Sequence, residues 1–204
     1  MSKWIILWII NIMVLVNYAD RKLTCKIVYY GSGESGKTSN LIYIYNTLDS
    51  AIRSDMTCLE GLNERTLFFD FLSINLGDIK GFNTTFSLYT TPGQMEYNAA
   101  RKIILNGVDG IIFVADSSVK KRQENIKSFN NMLENFKEFN LSPENIPVVL
   151  QYNKRDLDDV LSFDELENDL NKFGFPSFEA VAIEGRGVFA ALKSVSNSIL
   201  ANLQ

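Results

Sequence analysis

The sequence predicts an α/β fold, a mostly parallel sheet of six strands with helices on both faces. Three observations carry this expectation. Strand-like and helix-like segments alternate along the chain, as they do when crossover helices join neighbouring strands. Two short runs, Gly110-Ile111-Ile112-Phe113-Val114-Ala115 and Pro147-Val148-Val149-Leu150-Gln151-Tyr152, are apolar along nearly their whole length, which suits strands covered on both sides by helices. Finally, Gly31-Ser32-Gly33-Glu34-Ser35-Gly36-Lys37-Thr38 fits G-x-x-x-x-G-K-[ST], the phosphate-binding P-loop pattern, between an apolar strand and the start of a helix.

The elements follow in order. Trp4 to Val16 is almost continuously apolar, interrupted only by Asn11. As a helix this run would be roughly 20 Å long, short of the roughly 30 Å hydrocarbon core of a bilayer. Lys3 before it resembles the charged start of a signal peptide, but no small-residue cleavage site follows. Residues 1–12 are therefore read as a start-site artefact, with translation beginning at Met13, or as a short peripheral membrane anchor. Residues 13–204 then form one domain, as a chain of 204 residues would lead one to expect.

Strands are expected at 25–30, 66–75, 83–90, 110–115, 147–152 and 178–182. The segment Asn75 to Asn83 contains Gly77 and Gly81 and reads as the turn of an antiparallel hairpin. Helical periodicity places Ile126, Phe129, Met132, Leu133 and Phe136 on one face near 119–138. Phe163, Leu166, Leu170 and Phe173 form a second stripe, opened by Ser162 with Glu165 three residues on, the capping-box spacing. Phe189, Leu192, Val195, Ile199 and Leu203 mark a C-terminal helix. All three stripes read as core.

Composition excludes several chemistries. The chain has no histidine, which removes imidazole catalysis and most zinc sites. Its net charge of −4 comes without a basic block, so no nucleic-acid partner is expected. Cys25 and Cys58 match no metal-ligand spacing and read as packed, reduced thiols.

The phosphate loop has a direct physical reading. Its glycines let successive N–H groups turn toward phosphate oxygens. The helix beginning at Lys37, Thr38 and Ser39 adds the partial positive charge of its N-terminus. Lys37 would reach the β- and γ-phosphates, and the Thr38 hydroxyl would ligate Mg²⁺.

Asn153-Lys154-Arg155-Asp156, about 115 residues further on, ends the apolar strand at 147–152. In an open α/β sheet, ligands bind at the carboxyl ends of strands. N-K-x-D is the guanine-recognition pattern. The Asp156 carboxylate can accept hydrogen bonds from guanine N1–H and the 2-amino group, donors that adenine lacks there, and Lys154 can lay its stem along the base. A preference for GTP over ATP follows. Glu179-Ala180-Val181-Ala182 precedes the turn Gly185-Arg186-Gly187, and the Ala182 N–H is the candidate contact for guanine O6.

Between these lies Thr90-Thr91-Pro92-Gly93-Gln94. Most Ras-like proteins have D-x-x-G-Q here, with the Asp holding Mg²⁺ through water. Thr90 stands at the Asp position, with Gly93 and Gln94 in register. Gly93 would give its N–H to the γ-phosphate, and Gln94 would orient the attacking water. Asp78-Ile79-Lys80-Gly81 also fits D-x-x-G but falls in the hairpin turn. A lost carboxylate must be replaced if metal affinity is to be kept. Asp116 is one candidate, although it also reads as a strand-end cap. Upstream, Thr66 is the candidate to reach Mg²⁺ and the γ-phosphate, and Arg65 is a candidate arginine finger in cis.

Together these segments (Lys26–Thr38, Glu64–Leu72, Leu88–Gln94, Val108–Asp116 and Gln151–Leu157) resemble the bacterial small Ras-like GTPases of gliding motility and cell polarity, the MglA type. The resemblance covers about residues 13–203. It implies a Ras-like fold, GTP and GDP with Mg²⁺ as ligands, GTP hydrolysis, and a cytoplasmic chain, at a cell pole or peripherally on the inner membrane. A threonine at the usual Asp position is characteristic of this family, as is an intrinsic arginine finger, which the resemblance places at Arg65. It also implies a roadblock-type homodimeric activator that rearranges Arg65 and Gln94, and polarity or motility effectors as further partners. Glu34 departs from the commoner loop residues and is expected to face solvent.

Overall fold

The computed structural model describes residues 5–6, 15–59 and 69–202. Arg65, Thr66 and Leu203 lie outside them. The described strands are β1 (Ile5–Ile6), β2 (Leu15–Asn17), β3 (Lys22–Tyr30), β4 (Thr57–Leu59), β5 (Phe69–Ile79), β6 (Phe82–Thr90), β7 (Gly110–Asp116), β8 (Val148–Asn153) and β9 (Ser177–Glu179). The α-helices are α1 (Lys37–Thr47), α2 (Asn98–Leu105), α3 (Arg122–Glu138), α4 (Phe163–Leu170) and α5 (Val188–Ala201).

The central sheet runs β4-β5-β6-β3-β7-β8-β9, with β2 pairing on β3 and β1 on β2. β3 is parallel to β6 and β7, and β7, β8 and β9 continue in parallel. β5 pairs antiparallel with β6, as the hairpin reading predicts. Among the described residues the sheet therefore has nine strands where six were expected. The three additions, β1, β2 and β4, are two or three residues long, too short to show a period in sequence. Of the apolar run Trp4 to Val16, Leu15 and Val16 belong to a strand rather than a helix, and Val16 is buried.

The hairpin turn is tighter than expected. β5 extends to Ile79, and Lys80 and Gly81 make the reversal with φ of +54° and +84°. A bulge between Asn75 and Gly77 adds one residue to β5 and shifts its register on β6.

Strand periodicity divides the core. Cys25, Ile27 and Tyr29 face a cluster with Leu41 and Ile44 of α1 and Val188, Ala191, Val195 and Ile199 of α5. Val28 and Tyr30 face the opposite cluster, with Leu105 of α2, Phe129, Met132 and Phe136 of α3, and Leu166 and Leu170 of α4. β7 and β8 are buried at every residue, as strands sandwiched between two helical layers must be.

The capping box is formed: Ser162 Oγ accepts from the Glu165 N–H, and the Glu165 carboxylate accepts from the Ser162 N–H at 3.0 Å. Two stripe residues are not core. Phe163 and Phe173 are exposed; Phe163 meets Tyr152 edge-on and Phe173 stacks on Phe175 at the margin of the cluster. Cys25 is a buried free thiol, whereas Cys58 is exposed, contrary to the packed reading. Among the described residues no helix is long and apolar enough to cross a membrane.

Candidate functional site: a phosphate loop and a base-reading loop joined by amides

The loop between β3 and α1 takes the conformation its glycines allow. Gly31 and Gly36 have φ of +150° and +101°, and a Cβ on Gly31 would lie 2.2 Å from the Val114 carbonyl oxygen. Glu34 takes a left-handed φ of +62°, and its side chain is exposed, as expected, 3.7 Å from Lys121 Nζ. Gly36 caps α1 without a side-chain hydrogen bond, so the first N–H groups of the helix stay available to an anion.

Lys37 is buried and folds back over the loop, donating to the Gly31 and Ser32 carbonyls at 3.1 and 2.6 Å. Burial, with Arg101 as a second cause, lowers its pKa to about 7, opposed by the Asp70 carboxylate. A cation held this way is under-compensated, and phosphate oxygens would supply the missing negative charge.

The base-reading loop is tied to the phosphate loop by neutral side chains. Asn153 donates to the Ser35 carbonyl at 2.8 Å, and its Oδ1 accepts the Ala182 N–H at 2.8 Å. One amide thus joins three loops. In this form the Ala182 N–H is already engaged, so a contact to a base oxygen would share it. Asn40 of α1 and Gln151 of β8 exchange two hydrogen bonds of 2.8 and 2.9 Å, fixing the phosphate-loop helix against the base-reading strand. Lys154 has φ +65° and pairs with Asp116 at 2.7 Å. Asp156 is exposed at the mouth of this end of the sheet.

Asp116 is the strand-end cap. Its Oδ1 accepts from the Ser118 N–H and hydroxyl at 2.9 and 2.7 Å. Burial pushes its carboxyl up, but the hydrogen bonds from Lys154 and Ser118 outweigh this and hold it below the usual range. Committed in this way, it is not the carboxylate that replaces the one missing at Thr90.

Asp70 of β5 is. Its Oδ2 accepts from the Thr38 hydroxyl at 2.6 Å and from the Thr90 hydroxyl at 2.9 Å, while its N–H donates to Thr90 Oγ1 at 2.8 Å. The threonine at the usual Asp position therefore anchors a carboxylate delivered from the neighbouring strand to the Thr38 hydroxyl. A hydroxyl and a carboxylate beside a phosphate loop form the sparse, hard-oxygen donor set that suits Mg²⁺ bound together with phosphates. Among the described residues no cluster of three or more Cys, Asp or Glu could hold a metal by itself.

The Thr90–Gln94 segment closes the site from the other side. A Cβ on Gly93 would lie 2.3 Å from Gly33 Cα, so this glycine lets the two loops touch. Gln94 is exposed and lines a cleft of about 540 Å³ together with Ser32, Gly33 and Glu34. The structure thus brings together Gly31–Ser39, Gly93, Gln94, Asn153, Lys154, Asp156 and Ala182 at one end of the sheet.

This fold and this convergence of loops define a small GTPase, and residues 26–201 match the Ras family, to which the chain belongs. Among individual proteins, it is 46% identical over 192 residues to the mutual gliding-motility protein MglA of Myxococcus xanthus, covering 94% of this chain and 98% of that one. It is also 28% identical over 189 residues to the Ras-related protein RABG3c of Arabidopsis thaliana, covering 89% of this chain and 85% of the relative.

Proposed function

We propose that this chain is a molecular switch that binds GTP and GDP with Mg²⁺, hydrolyses GTP, and controls cell polarity or gliding motility. The observation that supports the reading best is the Asn153 side chain, which holds the phosphate loop and the base-reading loop as one receptor. The motility or polarity role rests on the likeness to MglA.

In this reading Asp156 and Lys154 select guanine, and the N–H groups of Gly33 to Ser39 cradle the phosphates. Thr38 and Asp70, with Thr66, would hold Mg²⁺. Bound there, Mg²⁺ neutralises charge on the β- and γ-phosphate oxygens. Gln94 orients a water for in-line attack on the γ-phosphorus, while Lys37 and Arg65 stabilise the charge that develops on the transferring group. Unaided turnover is slow in such proteins, about 10⁻⁴ to 10⁻² s⁻¹. A roadblock-type homodimer that aligns Arg65 and Gln94 is the proposed activator, acting in the cytoplasm at a pole or on the inner membrane surface.

The test is single-turnover hydrolysis of GTP and ATP by the full chain with Mg²⁺, alone and with such a homodimer. Slow GTP turnover that rises with the partner, is lost in Gln94→Leu with GTP binding retained, and loses its guanine preference in Asp156→Ala would support the proposal. Tight GTP binding with no turnover under either condition would replace the switch with a guanine-nucleotide-binding scaffold.

A further inference from the structure

Arg101 is the largest fully buried side chain among the described residues. It sits on α2, and no carboxylate lies within ion-pair distance of it among those residues. A buried cation in that position is costly unless its donors are all satisfied. Here they are spent on one loop and its support. Nε donates to the Pro92 carbonyl at 2.9 Å, Nη2 to the Gly93 carbonyl at 2.5 Å and Nη1 to Asn131 Oδ1 at 2.7 Å. The guanidinium carbon lies 5.2 Å from the Tyr30 ring centroid.

The support is itself fastened. Asn131 Oδ1 also accepts the Tyr30 hydroxyl at 2.6 Å, and Asn131 Nδ2 donates to Asn98 Oδ1 at 3.0 Å. β3, α2 and α3 thereby fix the guanidinium in position.

Peptide geometry turns this into a statement about the site. In a trans peptide the C=O and the following N–H point in opposite directions. Drawing the Pro92 carbonyl toward Arg101 turns the Gly93 N–H away from it. Drawing the Gly93 carbonyl the same way turns the Gln94 N–H away too. Neither N–H makes a hydrogen bond to another described residue. The far side of this loop is the phosphate loop, where Gly93 packs against Gly33.

We propose that Arg101 is a positioning residue: by gripping the carbonyls of Pro92 and Gly93 it aims the Gly93 and Gln94 N–H groups at the terminal phosphate, and so sets both the relative affinity for GTP and GDP and the placement of Gln94. The proposal rests on the GTPase reading above. It makes Arg101 act through the loop, without touching the nucleotide.

The experiment uses the full chain and its Arg101→Met, Arg101→Lys and Asn131→Ser variants. The measurements are affinity for GDP, affinity for a non-hydrolysable GTP analogue, single-turnover GTP hydrolysis and the thermal midpoint. Expected for Arg101→Met is a loss of roughly 10- to 100-fold in GTP-analogue affinity, the worth of one charge-assisted hydrogen bond. Its GDP affinity should stay within about threefold and its hydrolysis should fall at least as far as analogue affinity. Arg101→Lys keeps the charge but not the two-pronged grip, so it should recover only part of the loss. Asn131→Ser should shift the same ratio in the same direction by less, and it serves as the test if Arg101→Met does not fold. An unchanged GTP-to-GDP ratio in folded variants, or an equal loss for both nucleotides, overturns the proposal and leaves Arg101 a purely structural residue. Failure of the unaltered protein to bind guanine nucleotides would overturn the GTPase reading instead.

Discussion

Replacing Asp70 by Asn tests the metal side of the site with a magnitude that follows from its geometry. Thr38 Oγ1 lies 2.6 Å from Asp70 Oδ2, and a Mg²⁺ bound by that hydroxyl sits about 2.1 Å from it. The ion is therefore within about 4.7 Å of the carboxylate oxygen, the sum of the two distances. A divalent cation and a unit negative charge at that separation attract by about 1.8 kcal/mol at a dielectric constant of 80 and about 3.5 kcal/mol at 40. Asn keeps the shape and an acceptor for the two threonines but removes the charge. The Mg²⁺ concentration that half-saturates nucleotide retention should then rise roughly 20- to 400-fold. The assay is release of a fluorescent GDP analogue across a magnesium titration, with release in EDTA as the metal-free reference. Release in EDTA should be little changed, because the phosphate loop and base-reading loop are untouched. Equal half-saturating Mg²⁺ in the two proteins would refute the assignment of Asp70. A Thr90→Asp change added to Asp70→Asn should recover much of the loss; alone, it would crowd two carboxylates and weaken the fold.

Three further outcomes are expected. Gly36→Ala forces a side chain onto φ +101° and puts its Cβ 2.1 Å from Asn153 Nδ2; strain plus the displaced amide should cost about 2–4 kcal/mol of GDP affinity, read by calorimetry, and near-normal affinity would contradict the joined-loop account. Asp109 is buried, accepts the Lys26 N–H at 2.6 Å and has its pKa raised by burial from 3.8 to about 7. Between those values the folded state binds more protons than the unfolded state, so Asp109 withdraws up to about 4 kcal/mol of stability as pH rises from about 4 to 7; melting curves of Asp109→Asn and the parent should diverge across that window, and parallel curves would refute it. Ser162→Ala breaks the capping box at the start of α4 and should lower stability by about 1 kcal/mol in denaturant titrations, without changing nucleotide affinity.

Much of this architecture can be read from the chain, and the exceptions have physical causes. β7 and β8 stand out because burial on both faces demands unbroken apolar runs. α2 does not stand out, because its buried face carries Arg101 beside Ile104 and Leu105; a charged residue inside the stripe erases the helical period. The phosphate and base-reading loops are legible because the G-x-x-x-x-G-K-[ST] and N-K-x-D patterns put glycines, Lys37 and Asp156 at fixed spacing. Asp70 was hidden. It lies in an aromatic-rich strand, and only cross-strand register reveals its partner. Counting outward from the Ile79–Phe82 pair would set Asp70 opposite Thr91. The extra residue of the bulge at Asn75/Gly77 moves the pairing by one and brings Asp70 beside Thr90. A local bulge that sequence does not announce thus selects which threonine holds the Asp70 carboxylate.

The paired amides of Asn40 and Gln151 have a wider consequence. Neither carries charge, so their grip on the phosphate-loop helix and the base-reading strand is indifferent to salt, pH and magnesium. Charge lies on either side of this neutral clasp: the Lys154–Asp116 pair on the strand side, and Lys37 and Asp70 on the loop side. The amide pair is accordingly a neutral clasp between two charged stations. In the proposed switch, ions that disturb either station would leave the spacing between them unchanged.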